Sequence, residues 1–168
     1  DAQESRGLGD VYKRQVFDQV LALSRAPIIA SHSSSRAITA HPRNLDDRRL
    51  RQLAARGGVV QVNSFPSDLI NLAPNPERDK ALGPLYREFR LAASMSPEQV
   101  SDLAERIRQV EARYPQPRAS LDDYLRHLLH ILEVVGPDHV GIGADWDGGG
   151  GVQGLEDVAQ LPLSLIHI

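Results

Sequence analysis

The sequence predicts an α/β fold with a parallel sheet, and three observations lead to this prediction. Short apolar runs that begin at 27, 59 and 139 are typical of strands buried in a parallel sheet. Stretches with apolar residues three and four positions apart, which indicate amphipathic helices, separate these runs. Each run ends in polar residues, and α/β enzymes place their chemistry at that end of their strands. Repeating units of this kind imply parallel strands joined by right-handed crossovers.

The first third of the chain predicts the order helix, strand, helix, strand. Apolar residues over 16–24 predict the end of a helix, which stops before Pro27 because proline disfavours helical backbone in the residue preceding it. The segment 27–32 predicts the first strand and 59–63 the second. Between them, we expect Asn44 to cap a helix whose first turn is acidic.

Residues 65–117 predict an insertion between the second strand and the next helix of the core. The segment is long and punctuated by prolines, and an excursion of this length is typical of a lid or a binding insertion. It contains one predicted helix, which begins after Ser96 and has Gln99 to complete a capping box.

A second apolar helix and a third strand follow the insertion. Ser120 predicts the start of the helix, and Gly136, followed by a proline, predicts its end. The apolar residues between them, Leu129 included, are expected to face inward. The helix carries His127 and His130 at a spacing of three, whereas a metal-binding pair on a helix is spaced by four. We therefore expect both histidines at the helix surface or the core edge. The segment 139–145 predicts the third strand.

We expect both ends of the chain to be non-native sequence. Residues 1–15 carry little apolar periodicity, and residues 163–168 follow Pro162 abruptly without a capped helix. Both stretches resemble translated adapter sequence. The informative part of the chain is therefore expected to be 16–162.

The composition excludes several classes of function. Nineteen basic and 22 acidic residues give a formal net charge of −3, which argues against a nucleic-acid partner because such binders carry a basic face. The lack of cysteine excludes disulfides, a thiolate zinc site and a thiol nucleophile. No apolar run approaches the ~18 residues of a membrane span, so we expect no membrane segment in this chain.

Two candidate site residues lie on or after the first strand. His32 can present an imidazole nitrogen to a metal, or it can be a hydrogen-bonded structural histidine. Arg43, just before the next helix, can bind a carboxylate or a phosphate through two hydrogen bonds, or it can be a solvent-exposed loop residue without a binding role.

Three interpretations of the segment after the third strand stay open. Asp145 is a candidate general base acting on a bound water. The run 145–156 is similar to a calcium loop, with carboxylates at its first, third and twelfth positions and glycine at its sixth. Gly149 offers no side-chain ligand at the fifth position of that loop. The glycines of 148–151 are typical of a turn that cradles a phosphate, or of a tight turn alone.

Four segments taken together carry a family resemblance: APIIASHSS (26–34), PRN (42–44), GVVQVN (58–63) and DHVGIGADWDG (138–148). In order and spacing they resemble the membrane (renal) dipeptidase family of metal-dependent amidohydrolases. The resemblance covers about 16–162 and follows the bacterial members, including the insertion after the second strand. It implies a (β/α)8 barrel with a two-zinc centre. Such a barrel takes about 250 residues, so this chain is an incomplete, C-terminal part with three strands and their helices.

The resemblance implies roles for three residues. His32 matches a zinc-binding histidine, Arg43 a substrate-binding arginine, and Asp145 an aspartate that contacts substrate and takes the proton of a metal-bridging water. The implied reaction is hydrolysis of a dipeptide, in which two Zn²⁺ ions activate that water and polarise the scissile carbonyl. The preferred dipeptide, the compartment and a homodimer of the full-length protein are left open.

The chain departs from the family in its metal ligands, because the other family ligands lie upstream of the matched segments and His32 alone is matched. A zinc site needs about three or four protein ligands, so we predict that the chain alone is inactive and binds zinc weakly. Two alternatives remain. One is an amidohydrolase acting on cyclic amides or N-acyl amino acids, and the other is a non-catalytic calcium-binding module that uses the 145–156 loop.

Overall fold

Three parallel strands form the centre of the computed structural model, which describes residues 15–146 and 149–165. The first strand pairs with the second and the second with the third, in chain order and always in parallel. This arrangement confirms the predicted parallel sheet, and it brings the C-terminal ends of all three strands to one edge. The strands are β1 (Ile29–Ser33), β2 (Val59–Val62) and β3 (Val140–Ile142).

Helices connect the strands and follow the last of them. Every helix of the described residues is too short or too polar to cross a bilayer. The helices are α1 (15–23), α2 (Asp47–Ala54), α3 (Pro66–Leu69), α4 (Pro76–Phe89), α5 (Pro97–Arg113), α6 (Leu121–Val135) and α7 (Leu161–Leu165). Short 3-10 helices cover Ala92–Ser94, Pro137–His139 and Val158–Gln160.

The chain divides into two compact units. One unit consists of the described residues up to Asn71 together with those from Arg118 onwards, and the other is Leu72–Pro117. The predicted bounds of the insertion, 65–117, and the predicted non-native ends stay predictions. Of those ends, 1–14 and 166–168 lie outside the described residues.

The larger unit has its core where α2 and α6 pack on the sheet. Tyr124 on α6 is fully buried, and its hydroxyl lies 3.3 Å from the carbonyl oxygens of both Val62 and Gly143. Burial raises the pKa of Tyr124, so the hydroxyl keeps its proton and donates. It thereby ties the end of β2 to the segment after β3. Other large buried side chains of this unit include Leu50, Leu53, Val60, Leu128, Ile131, Val152 and Leu155.

The smaller unit is built from α4 and α5. Its buried side chains are Leu82 and Leu85 on α4 and Leu103 on α5. The predicted capping box of α5 is confirmed, since Ser96 and Gln99 exchange side-chain and backbone hydrogen bonds. The sequence prediction missed α4 altogether. This helix contains Pro84 in its interior, a residue that ordinarily ends or kinks a helix.

Two local predictions are wrong. The cap of α2 is Asp46, whose side chain accepts from the backbone N–H of Arg49, and not Asn44. Leu129, which has the spacing of the inner face of α6, is 46% exposed.

The strand β1 is an edge of the described sheet. Its pairing runs along one side only, with β2. Ile29 on this strand is 65% exposed, and Leu23 at the end of α1 is 82% exposed.

Candidate active site

His32 stands near the C-terminal end of β1 with its imidazole half-exposed. Its Nδ1 lies 2.9 Å from the Oγ of the neighbouring Ser31. A hydrogen bond at one ring nitrogen orients an imidazole and leaves the other nitrogen for a ligand. In His32 that other nitrogen is Nε2, which points toward the segment following β3.

Asp145 faces His32 from that segment. Its carboxylate Oδ1 lies 3.7 Å from His32 Nε2, and its side chain is 20% exposed. The backbone of Asp145 has a φ of 59°, in the left-handed region that side chains rarely adopt. Its carbonyl accepts a 2.7 Å hydrogen bond from the N–H of Gly150. A sharp turn therefore directs the carboxylate back over the sheet.

Ser64, two residues after the end of β2, holds this turn through its hydroxyl. The fully buried Ser64 hydroxyl donates to the carbonyl of Ala144 and accepts from the N–H of Gly151 at 3.0 Å. Only glycine fits at position 150, because a Cβ there would overlap the carbonyl oxygen of Ala144. The sequence prediction missed Ser64, although it directly follows the polar end of a predicted strand.

Arg43 lies on the loop between β1 and α2, with its side chain exposed. An open cavity of about 450 Å³ is lined by His32, Pro42, Arg43 and, from α1, Phe17. The loop therefore places a guanidinium and an imidazole on one cavity. Asp145 does not line this cavity. It contacts His32, which does.

Asn44 organises the loop that carries Arg43. Its side-chain oxygen accepts from the N–H of Ser34 at 3.1 Å, and its amide donates to the carbonyls of Thr39 (2.9 Å) and Asp68 (2.7 Å). Asn44 is therefore a buried centre of loop hydrogen bonds and not the helix cap that was predicted. These partners are distant in sequence, so no local pattern signals the role.

His127 is fully buried, and the prediction that it lies at the helix surface or core edge is wrong. Its Nδ1 accepts from the N–H of Ser35 at 3.0 Å, so Nε2 carries the proton and donates to the carbonyl of Leu69 at 3.0 Å. Burial lowers the pKa of His127. The imidazole is thus a neutral structural bridge from α6 to the loop and to α3. His130 lies 2.9 Å from the carboxylate of Asp47 on α2.

Residues 12–167 match the family described as membrane dipeptidase, peptidase family M19. The chain belongs to the membrane dipeptidase family. A dipeptidase of Schizosaccharomyces pombe, named as uncharacterized, is 35% identical over 156 residues, which are 92% of this chain and 27% of that protein. Dipeptidase ataJ of Aspergillus terreus is 34% identical over 143 residues, 84% of this chain and 25% of that protein. The chain thus spans about a quarter of the length of these curated relatives.

Solved membrane dipeptidase structures match the fold. The crystal structure of the probable dipeptidase PvdM from Pseudomonas aeruginosa matches 89% of this chain and 41% of its own, with a TM-score of 0.62 and 34% identity. A metallopeptidase from Rhodobacter sphaeroides, liganded with a phosphinate mimic of the dipeptide L-Ala-D-Ala, matches 89% of this chain and 31% of its own, with a TM-score of 0.58 and 30% identity. The predicted family and the predicted partial (β/α)8 barrel are confirmed.

The residues that the structure describes do not complete a metal centre. A catalytic zinc site takes three protein ligands and keeps a fourth position for water or substrate. Within 15–146 and 149–165, no group of three or more His, Cys, Asp or Glu side chains is placed to hold a metal ion. His32 and Asp145 offer one imidazole and one carboxylate, which is too small a donor set for zinc.

The calcium loop and the phosphate cradle both depend on the glycine-rich turn after Asp145. Asp147 and Gly148, which the calcium loop and the phosphate cradle require, lie outside the described residues. The carboxylate of Glu156, at the twelfth position of the calcium loop, accepts a 3.1 Å hydrogen bond from the N–H of Gly154. That hydrogen bond lowers the pKa of Glu156. Both interpretations stay predictions.

Proposed function

We propose that this chain contributes His32, Arg43 and Asp145 to the active site of a zinc-dependent dipeptidase. The observation that carries the proposal is the approach of His32 Nε2 to Asp145 Oδ1, 3.7 Å, at the C-terminal edge of a parallel sheet. Such edges are where barrel enzymes assemble their sites. Membership of the membrane dipeptidase family supports the reaction class.

Each of the three residues has a role that its surroundings support. His32, oriented through Nδ1 by Ser31, offers Nε2 as one ligand of the metal centre. Asp145 takes a proton from the attacking water and passes it toward the leaving amine. Arg43, exposed on the cavity that His32 also lines, holds and orients the substrate, since its planar fork suits a carboxylate.

The same proposal assigns no activity to the chain on its own. Two potential donors do not make a zinc site, and the family ligands upstream of the matched segments have no counterpart here. We therefore expect a longer parent protein to complete the centre and to hydrolyse dipeptides. The chain by itself is inactive and binds zinc weakly.

The test compares the 168-residue chain with the parent protein. Zinc per polypeptide is measured by mass spectrometry after dialysis, and hydrolysis is followed with L-Ala-D-Ala, the dipeptide whose mimic binds the R. sphaeroides relative. We expect activity with retained zinc in the parent and neither in the chain. Tight zinc and hydrolysis by the chain alone contradict the proposal.

A substrate panel separates the dipeptidase from its alternatives. Cyclic amides and N-acyl amino acids are assayed beside dipeptides, and a clear preference for either contradicts the dipeptide assignment. Calorimetric titration of the chain with calcium tests the module built on 145–156. Heat of binding together with a rise in the melting temperature favours that module instead.

A further inference from the structure

A buried acid–histidine contact joins the loop that carries Arg43 to the short helix α3. Nδ1 of His41 lies 2.8 Å from Oδ1 of Asp68, whose side chain is 1% exposed. Neither atom makes a hydrogen bond among the residues the structure describes, so the two are held together as an acid–histidine contact alone. The second oxygen of Asp68 accepts from the side-chain amide of Asn63 at 2.9 Å. A buried carboxylate is costly unless it is paired, so its placement here calls for a local reason.

Beside this contact, two hydrogen bonds link the same two segments. The Asn44 amide donates to the backbone carbonyl of Asp68 at 2.7 Å, and the Thr39 hydroxyl donates to the carbonyl of Leu69 at 2.7 Å. The loop is thus held to α3 at three points, and two of these are His41 and Asn44, on either side of Arg43. The carbonyl of Arg43 itself accepts from the hydroxyl of Ser33 at 3.0 Å.

These contacts fix the backbone of Arg43 while its side chain stays exposed at the cavity. An arginine on an untethered loop would have to be ordered when substrate binds, and that ordering weakens affinity. A side chain held in place before binding avoids this cost. Of the two α3 residues named above, Leu69 contacts the loop through its backbone carbonyl, whereas Asp68 contacts it through both its backbone carbonyl and its side chain.

We propose that Asp68 is a positioning residue for substrate binding, acting through His41 and Asn44 to hold Arg43 in its binding geometry. The inference rests on the proposed role of Arg43 in the dipeptidase. It adds that a buried residue beyond the site, in the segment that follows β2, sets how well the substrate is held.

The test is a double-mutant cycle in the parent enzyme, with KM and kcat measured for a dipeptide. Coupled residues are non-additive, so Asp68→Asn is expected to raise KM about tenfold with Arg43 present and less than about twofold in an Arg43→Ala background. We expect kcat to change less than about twofold, because an interaction equal in the ground and transition states affects KM alone. His130→Gln serves as the matched control. It replaces the histidine of a different histidine–aspartate contact, which joins α6 to α2, and leaves KM unchanged.

Each outcome decides between the two proposals. If Arg43→Ala leaves KM unchanged, the proposed role of Arg43 is wrong and this inference falls with it. If Arg43→Ala raises KM but Asp68→Asn raises it equally in both backgrounds, only the inference is wrong. If Asp68→Asn fails to fold, Thr39→Val replaces it in the cycle, because it removes the hydrogen bond from the Thr39 hydroxyl to the carbonyl of Leu69. Its effect on KM must likewise vanish in the Arg43→Ala background.

Discussion

Oδ1 of Asp145 and Nε2 of His32 lie 3.7 Å apart although their strands are not neighbours in the sheet. β2 lies between β1 and β3, so the two side chains meet above its C-terminal end. The approach depends on the turn at Asp145, whose left-handed φ directs the carboxylate toward the sheet.

Replacing Asp145 by asparagine in the parent enzyme should lower kcat strongly. A positioned general base contributes roughly 10²–10⁴-fold, and the amide keeps the shape of the carboxylate but cannot accept the proton. Steady-state kinetics with a dipeptide measure the loss. Asp138→Asn, an exposed acid at the opposite end of β3, is the control and should keep its kcat. Equal rates for Asp145→Asn and the control contradict the role.

Arg43→Ala should raise KM with a smaller effect on kcat. A hydrogen bond to a charged group contributes about 1.5–3 kcal/mol, which corresponds to a roughly ten- to hundredfold change in KM. Arg43→Lys is expected to give an intermediate KM, since lysine keeps the charge but lacks the planar fork. Arg51→Ala, exposed on α2, provides the comparison. A lysine variant as weak as the alanine variant would show that charge plays no part.

Ser64→Ala should destabilise the chain and disturb the Asp145 turn. The substitution leaves the part-buried Ala144 carbonyl without its side-chain partner and leaves the Gly151 N–H with only the backbone carbonyl of Ser64. A group left unsatisfied away from solvent costs about 1–3 kcal/mol. Urea unfolding measures the loss of stability in the chain, and kcat reports the misplaced carboxylate in the parent. Ser101→Ala, at an exposed serine of α5, should behave as wild type. Unchanged stability and kcat in Ser64→Ala would show that Ser64 does not hold the turn at Asp145.

The buried His127 should make stability fall in mild acid. Burial lowers the pKa of His127 in the folded chain, so below about pH 6.5 the unfolded chain binds a proton that the folded chain does not. Stability is therefore full above the unfolded pKa and declines as pH drops through it. Urea unfolding between pH 5 and 8 measures this dependence.

The variant His127→Gln isolates this contribution, because glutamine can both accept from Ser35 and donate to Leu69 without titrating. We expect a flatter pH profile for the variant, whatever its stability at pH 8. His139→Gln removes a histidine near the start of β3 and controls for the loss of any imidazole. A profile for His127→Gln that is as steep as that of wild type would contradict the assignment.

Features coded by neighbouring residues were predictable from the sequence. The capping serines Ser96 and Ser120 bond to groups three residues away, so their patterns are readable along the chain. The three parallel strands likewise follow from apolar runs with polar ends. Among the candidate site residues, the sequence selected His32 and Asp145 because they stand at the ends of those strands.

Features coded by distant contacts were not predictable. His127 has the spacing of a partly exposed helix face, and only its contacts with Ser35 and Leu69 explain its burial. Asn44 has the local pattern of a cap, but its amide partners come from other segments. The helix α4 was missed for a different reason, since Pro84 opposes a helix that the packing of Leu82 and Leu85 against α5 stabilises.

The open edge of β1 has a practical consequence for anyone who produces this chain. A strand edge that carries an exposed aliphatic side chain, here Ile29, pairs readily with other chains. Material expressed by itself should collect in inclusion bodies or as soluble aggregates. Co-expression with a polypeptide that supplies the neighbouring strand should recover it in soluble form, so the yield of soluble material becomes a simple assay for the correct complementary piece.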